Sequence, residues 1–434
     1  MKTLILDGSP AGDPMGERLF ALLGPLLASR GHEVERVVLR ERRIANCAGC
    51  FNCWLKTPGI CMIDDDSREL TGKFVGSGMV ISLTPLTFGV YSPELKRMYD
   101  RLIPNVSPFF TTVHGETHHR KRYHRYPDLM TIGWLDGHDE TAEAIFRHLV
   151  YRNSVNFYAE SASAGILYRT QDEQVMAAGV KQLLACIEQS DRMAASELPV
   201  LTVTGETGAE VRRAVLLVGS PRMGKSTSAS LGGYLFERLA EQGVETRTIQ
   251  LYQAVADATQ LQEALELIYG ADLTVLAFPL YIDSLPYPVL SALRSIAKKR
   301  SSKMSRGAFA ALANCGFIEA SHNLNALAAC ALFARNAGFD WKGSISIGGG
   351  EGLVKGRSLH ELSGPAIPLR NALDQVALAL RHGLSVPEEA RMQLSRPFAP
   401  AWIYRMVGGW QWKKRARRMG TEQHLFDRPY QQVS

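Results

Sequence analysis

Four of the seven cysteines fall between positions 47 and 61, at Cys47, Cys50, Cys53 and Cys61. Their spacing is C-x2-C-x2-C-x7-C. Three thiolates this close wrap one backbone loop around an iron–sulfur cubane, and a single more distant thiolate completes the ligand set. The spacing therefore predicts a [4Fe–4S] cluster held by all four. Two other readings stay open: zinc, which more often takes paired CxxC knuckles across a longer spacer, and thiols that carry no metal. A disulfide framework fits poorly with a reducing compartment. Cys186 and Cys330 lie in apolar contexts and read as core. Cys315 follows a predicted strand, where it is either buried or close to a ligand.

A second chemistry lies in Gly219-Ser220-Pro221-Arg222-Met223-Gly224-Lys225-Ser226-Thr227-Ser228, a turn that runs into a helical pattern. Backbone N–H groups and hydroxyls at a helix N-terminus suit a phosphate, because the helix dipole and the unpaired amides both favour an anion. Ser220, Arg222, Ser226, Thr227 and Ser228 are the predicted contacts, with Arg222 as a charged fork. The plain alternative is helix capping by Ser and Thr. Gly219 to Ser226 also satisfies the P-loop string G-x-x-x-x-G-K-[ST]. However, Asp272 sits at the start of the later strand, the wrong end for binding magnesium. A nucleotide hydrolase is thus disfavoured.

The elements that must position these groups appear twice. LILDGSP near the start and VLLVGSP near the middle each pass from an apolar run into Gly-Ser-Pro. A helix ending at Gly and a second strand follow each, from Glu33 and from Val244. Third strands at 77–84 and 271–278 lead into Pro-Leu-Thr-Phe and Pro-Leu-Tyr-Ile. Fourth strands follow from Asp128 and Gly307, and a fifth from Gly338. Strands alternating with helices predict two tandem α/β domains, each a doubly wound five-stranded parallel sheet. Ligands in such sheets sit beyond the C-terminal strand ends, where these loops fall. The expected domains are 1–192 and 213–386, with a linker around 193–212 and a Pro-, aromatic- and Arg-rich tail over 387–434.

Gly-Ser-Pro after the first strand, the cysteine cluster after the second and Pro-x-x-(Phe/Tyr) after the third resemble the NADPH-dependent FMN reductase and iron–sulfur flavoprotein branch of the flavodoxin-like superfamily. The resemblance runs over nearly the whole chain, once per domain. It implies two tandem flavodoxin-like domains, FMN bound noncovalently, and a [4Fe–4S] cluster close to the flavin. The first loop would hold the FMN phosphate. Thr84, Pro85, Leu86, Thr87 and Phe88 in the first domain, and Pro279, Leu280, Tyr281 and Ile282 in the second, would line the isoalloxazine, with backbone amides bonding its carbonyls. Asn314 and Gly316 lie on the same edge. The first phosphate loop, GSPAGDPMGERLF, keeps Gly8, Ser9 and Gly16, but Glu17 stands where relatives offer a hydroxyl, and Asp13 adds a charge. Carboxylates repel a phosphate, so the second domain is the better FMN site.

The reading that follows is an NAD(P)H-dependent FMN oxidoreductase relaying electrons to a small-molecule or protein acceptor. No catalytic side chain is assigned, because hydride transfer is the cofactor's own chemistry. Nicotinamide use rests on the resemblance, as does assembly as a homo-oligomer or as an intrachain pseudo-dimer. An electron carrier without nicotinamide use and a degenerate partner-binding protein are the alternatives.

The net charge of +6 over 434 residues is mild, and no nucleic-acid module is visible. MKTLILDGSP reads as a strand and turn, not an export signal, which predicts a cytoplasmic protein. His114, His118, His119 and His124 lie among Arg and Lys and read as a mobile basic loop. The tail places Trp402, Tyr404, Trp410 and Trp412 beside five basic residues from Lys413 to Arg418. The preferred reading is a segment packed back onto the domains, charges outward; peripheral membrane contact is the second.

Overall fold

A computed structural model of the chain describes residues 1–189, 193–199, 202–203, 208–301 and 307–431. Parts of the expected linker, 200–201 and 204–207, lie outside the described residues. The chain divides into two compact units, Met1–Leu198 with Arg405–Ser434, and Pro199–Tyr404.

The first unit contains β1 (Lys2–Asp7), β2 (Glu33–Val38), β3 (Met79–Pro85), β4 (Val106–Val113), β5 (Glu116–Lys121), β6 (Asp128–Leu135) and β7 (Ala162–Tyr168). The second contains β8 (Arg213–Val218), β9 (Glu245–Gln250), β10 (Leu273–Pro279), β11 (Ala308–Asn314) and β12 (Asp340–Ile347). Five strands of each unit form a parallel sheet, in the orders β2-β1-β3-β6-β7 and β9-β8-β10-β11-β12. Both follow the 2-1-3-4-5 order of flavodoxin-like folds. The expected fold is the one observed.

Residue type explains these positions. The strands β1, β3, β8 and β10 are near-continuous apolar runs, as strands covered on both faces must be. The edge strands EVERVV and ETRTIQ mix polar with apolar residues and bury a single residue each. Helix Met15–Ala28 places Met15, Leu19, Leu23 and Leu27 on one face at i, i+4 spacing, and all four join Ile5, Ile81 and Ile132 in the first core. Leu231, Leu235 and Leu239 of helix Thr227–Glu241 do the same in the second.

The loops after β3 and β10 share one backbone shape. Thr87 bridges Val90 across Phe88 (φ 54°) and Gly89 (φ 77°). Tyr281 bridges Ser284 across Ile282 (φ 43°) and Asp283 (φ 56°). Two consecutive left-handed residues make a tight primed turn, which normally calls for Asn or Gly. The second repeat puts a β-branched residue there, a conformation costing about 1–3 kcal/mol and common at ligand-binding loops.

Two expectations change. The histidine-rich segment is not a mobile loop. It belongs to the antiparallel β4–β5 ribbon, closed by His114 (φ 49°) and Gly115 (φ 84°). His118 is buried, and its Nδ1 lies 2.7 Å from Asn156 Oδ1. Cys186 is half-buried, whereas Cys330 is fully buried. After residue 387 the chain forms helices Glu388–Ser395 and Ala401–Arg418, and the division between the units falls within the second of these.

Candidate functional site

The cysteine segment belongs to the first unit. Cys47 and Cys50 lie on a loop bent by left-handed backbone at Gly49 (φ 58°) and Phe51 (φ 58°), and Cys53 follows in the short helix Asn52–Leu55. Cys53 is buried, Cys50 exposed, and Cys47 and Cys61 half-buried. The other three thiols lie near enough to act electrostatically on Cys53. Burial pushes Cys47 up to about 12 and Cys53 well above its ordinary value. Both are therefore protonated thiols at neutral pH.

No three of the four thiols converge within 4.8 Å. Zinc needs four thiolates about 2.3 Å from one ion, so no such site is preformed. A multi-iron cluster is larger and takes a wider ring. Arg101 ties the segment together. Its guanidinium is 1% exposed and donates to Ala45 O (2.7 Å), to both Asp65 oxygens (3.0 and 3.2 Å) and to Cys61 Sγ (3.3 Å). A buried N–H aimed at a cysteine sulfur is one of the contacts that sets cluster potentials.

The chain's C-terminal segment covers this loop. The Trp412 ring meets Phe51 and Trp54 edge-on at 5.5 and 5.3 Å. Thr421 Oγ1 donates to Leu55 O, and the buried Arg122 donates to the carbonyls of Leu425 (3.3 Å) and Asp427 (2.7 Å).

The first phosphate loop is filled by its own charges. Ser9 donates both its N–H (2.9 Å) and its hydroxyl (2.5 Å) to Asp7 Oδ1. The fully buried Asp7 and the exposed Glu17 share the Arg36 guanidinium, at 2.5 and 2.7 Å. The Arg36 hydrogen bond holds Glu17 below the usual carboxylate range. Asp13 pairs with Arg169 and accepts from Trp134 Nε1 at 3.0 Å. Burial opposes its ionisation, but the bonds from Arg169, the Met15 amide and Trp134 prevail and lower its pKa. A Cβ on Gly16, at the helix start, would lie 2.2 Å from Ser9 Oγ and 2.6 Å from Asp7. Asp7 thus stands where an anion would dock, and Ser9 has no donor left for a phosphate. Replacing Arg36 by Met should destabilise the first unit by about 3–5 kcal/mol, because the buried Asp7 charge loses its partner. Denaturant unfolding measures this, and no loss would mean that the Arg36–Asp7 pair contributes nothing to stability.

The second loop is built differently. Ser226 caps helix Thr227–Glu241, its Oγ accepting from Ala229 N at 3.1 Å. The amides of Thr227 and Ser228 head the helix. Arg222 forms a bidentate pair with Glu351 (2.9 and 2.7 Å), and Thr227 Oγ1 lies 3.4 Å from the same carboxylate. Glu351 follows Gly350, where a Cβ would come within 3.1 Å of both Thr227 and Asn314. The cradle therefore holds an oxyanion, supplied by the chain itself. Asn314 donates to Ser228 Oγ (2.8 Å) and Phe278 O (3.1 Å), fixing the cradle to the strand ends. Glu351 carries no motif, which is why the sequence reading missed it. Ser220 is buried, and Lys225 is exposed. Asp272 accepts from the amides of Arg212 and Arg213, at the opposite end of the sheet.

The ring loops hold a correction. The amides of Leu86 and Thr87 donate to Trp134 O (3.0 Å) and Val90 O (2.8 Å). Those of Leu280 and Tyr281 donate to Asn314 O (2.8 Å) and Ser284 O (3.0 Å). These four amides serve the fold, not a ring carbonyl. Pro85, Phe88, Pro279 and Ile282 are half-buried at the same edges. Gly316 is exposed, and its carbonyl accepts from Tyr404 Oη at 2.7 Å. Cys315 is buried, its Sγ 3.3 Å from Phe317 O, and burial pushes the thiol up to about 12.

Residues 1–155 match the family described as NADPH-dependent FMN reductase. The matched span contains the first repeat. Among curated proteins, the chain is 28% identical over 103 residues to an iron-sulfur flavoprotein of Methanosarcina thermophila, covering 24% of this chain and 53% of that protein. It is 33% identical over 106 residues to the iron-sulfur flavoprotein MJ1083 of Methanocaldococcus jannaschii, with the same two coverages. The chain thus spans about half the length of the curated relatives it matches. Among solved structures, the NAD(P)H:quinone oxidoreductase of Methanothermobacter marburgensis aligns with 45% of this chain and 99% of its own, at 14% identity and TM-score 0.34. The family match supports the resemblance over residues 1–155; the fold rests on the strand order.

Proposed function

We propose that the second unit binds FMN, that the first holds a [4Fe–4S] cluster on Cys47, Cys50, Cys53 and Cys61, and that the protein is an NAD(P)H-dependent flavin oxidoreductase. One observation carries the flavin assignment: the cradle of Arg222 and Thr227 at the head of a capped helix already grips a carboxylate. The corresponding place in the first unit is closed by Asp7 and Arg36.

When bound, FMN supplies two-electron acceptance from a reduced nicotinamide, and the cluster supplies one-electron exchange. The residues do the rest. Arg222 offers its fork to the phosphate as Glu351 yields it, and the amides of Thr227 and Ser228 add the helix's positive pole. Asn314 keeps Ser228 in register with the strand ends. The strained turn at Ile282 and Asp283 presents side chains at the edge where the ring would lie. In the first unit Arg101 positions Cys61 and adds positive charge beside the thiolates.

The test is protein purified without oxygen, with iron and flavin quantified per chain. About four irons and one FMN are expected. Flavin without iron would leave a plain flavin reductase, and neither would end the redox reading. Oxidation of NADPH or NADH with an artificial acceptor then separates a reductase from a carrier that does not use nicotinamide.

A further inference from the structure

Helix Ala401–Arg418 has two faces that differ in kind. From Arg405 onward it belongs to the first unit. Its inner face carries Trp412 and Ala416, packed on the aromatic cluster over the cysteine loop, and Gly408, whose missing Cβ makes room for the Phe110 ring. Its outer face carries Met406 and Trp410, one turn apart, exposed by 62% and 60%. Lys413, Lys414 and Arg417 continue that face over the next two turns and are also exposed. Lys414 Nζ sits 4.7 Å above the Trp410 ring. The helix has no acidic residue, and its last six positions carry five basic ones. Arg417 pairs with Glu422 at 2.7 Å, but Lys413, Lys414 and Arg418 remain as exposed cations.

Packing does not account for this face, because the helix is already anchored by its other side. Two large apolar side chains left in water are costly, and a Trp beside several cations suits the boundary between acyl chains and headgroups. No helix among the described residues is long and apolar enough to cross a membrane. We propose that the outer face of this helix docks the protein on an anionic lipid bilayer, with Met406 and Trp410 entering the interface and Lys413, Lys414 and Arg418 meeting the headgroups. A bilayer fits better than nucleic acid, which would use the cations but has no place for Met406. The inference is independent of the flavin and cluster assignments.

The experiment is co-sedimentation of the full chain with phosphatidylcholine vesicles with and without phosphatidylserine. Binding to the anionic vesicles is expected, with a blue shift of tryptophan emission and release at high salt. The M406S/W410S double variant should weaken binding about tenfold or more by losing inserted apolar area. K413E/K414E should do so through charge. Both change exposed residues, and unchanged thermal unfolding shows that they fold. Failure to bind anionic vesicles overturns the proposal. So does binding that M406S/W410S leaves intact, or tighter binding to single-stranded DNA at the same salt.

Discussion

Replacing Cys53 by Ser should reduce the iron content from about four per chain to near zero. Cys53 is the buried thiol of the four, and the other three lie near enough to act on it electrostatically. Serine is a poor iron ligand, and three thiolates leave one corner of a cubane open. Iron analysis and the visible spectrum read the loss directly. C186S is the control, since Cys186 lies outside the segment, and its iron should be unchanged. R101Q should give an intermediate result: iron still binds, but is lost faster to a chelator, because Ala45, Asp65 and Cys61 lose their common donor. If C53S retains its iron, the ligand set is wrong.

The second large effect concerns Glu351. Its carboxylate holds the fork that the phosphate requires, and it stays nearby as a like charge once displaced. Glu351→Gln should therefore tighten FMN binding by about tenfold, the lower end of what removing one unscreened charge a few ångströms from a phosphate gives. Arg222→Ala should weaken it by about ten- to hundredfold, since a charge-assisted pair is worth about 1.5–3 kcal/mol. Flavin fluorescence titration measures both. The opposite signs are the point: a merely structural Arg222–Glu351 pair would make both variants worse. If neither variant changes FMN affinity, the flavin is not held by the second unit.

The two units show how a repeat can diverge at its working edge while its core is kept. In both, Gly-Ser-Pro brings the chain against the helix that follows the third strand, with no room for a side chain. A Cβ on Gly8 would lie 2.7 Å from Leu95 Cβ, and one on Gly219 would lie 2.4 Å from Val289 Cγ2. The anion at the head of the following helix differs. The first unit has built in Asp7 and Glu17, and the second borrows Glu351 from beyond its last strand.

The sequence determined what local patterns can encode. Apolar runs, glycine stops and a repeated Gly-Ser-Pro were enough for two doubly wound sheets, because a parallel strand covered on both faces leaves few alternatives. The cysteine spacing and the eroded first loop, with Glu17 and Asp13, were equally legible, since each is a matter of residue type within fifteen positions. The tertiary structure decided what depends on distant partners. Arg101, Arg36 and Glu351 carry no local signature, yet each sets the charge of a site by meeting residues 19 to 129 positions away. The return of the C-terminal segment over the cysteine loop, with Thr421 bonding Leu55 across 366 positions, is the extreme case. A lone charged side chain is cheap in water and costly once buried. Only the fold, which buries it, can decide which partner it takes.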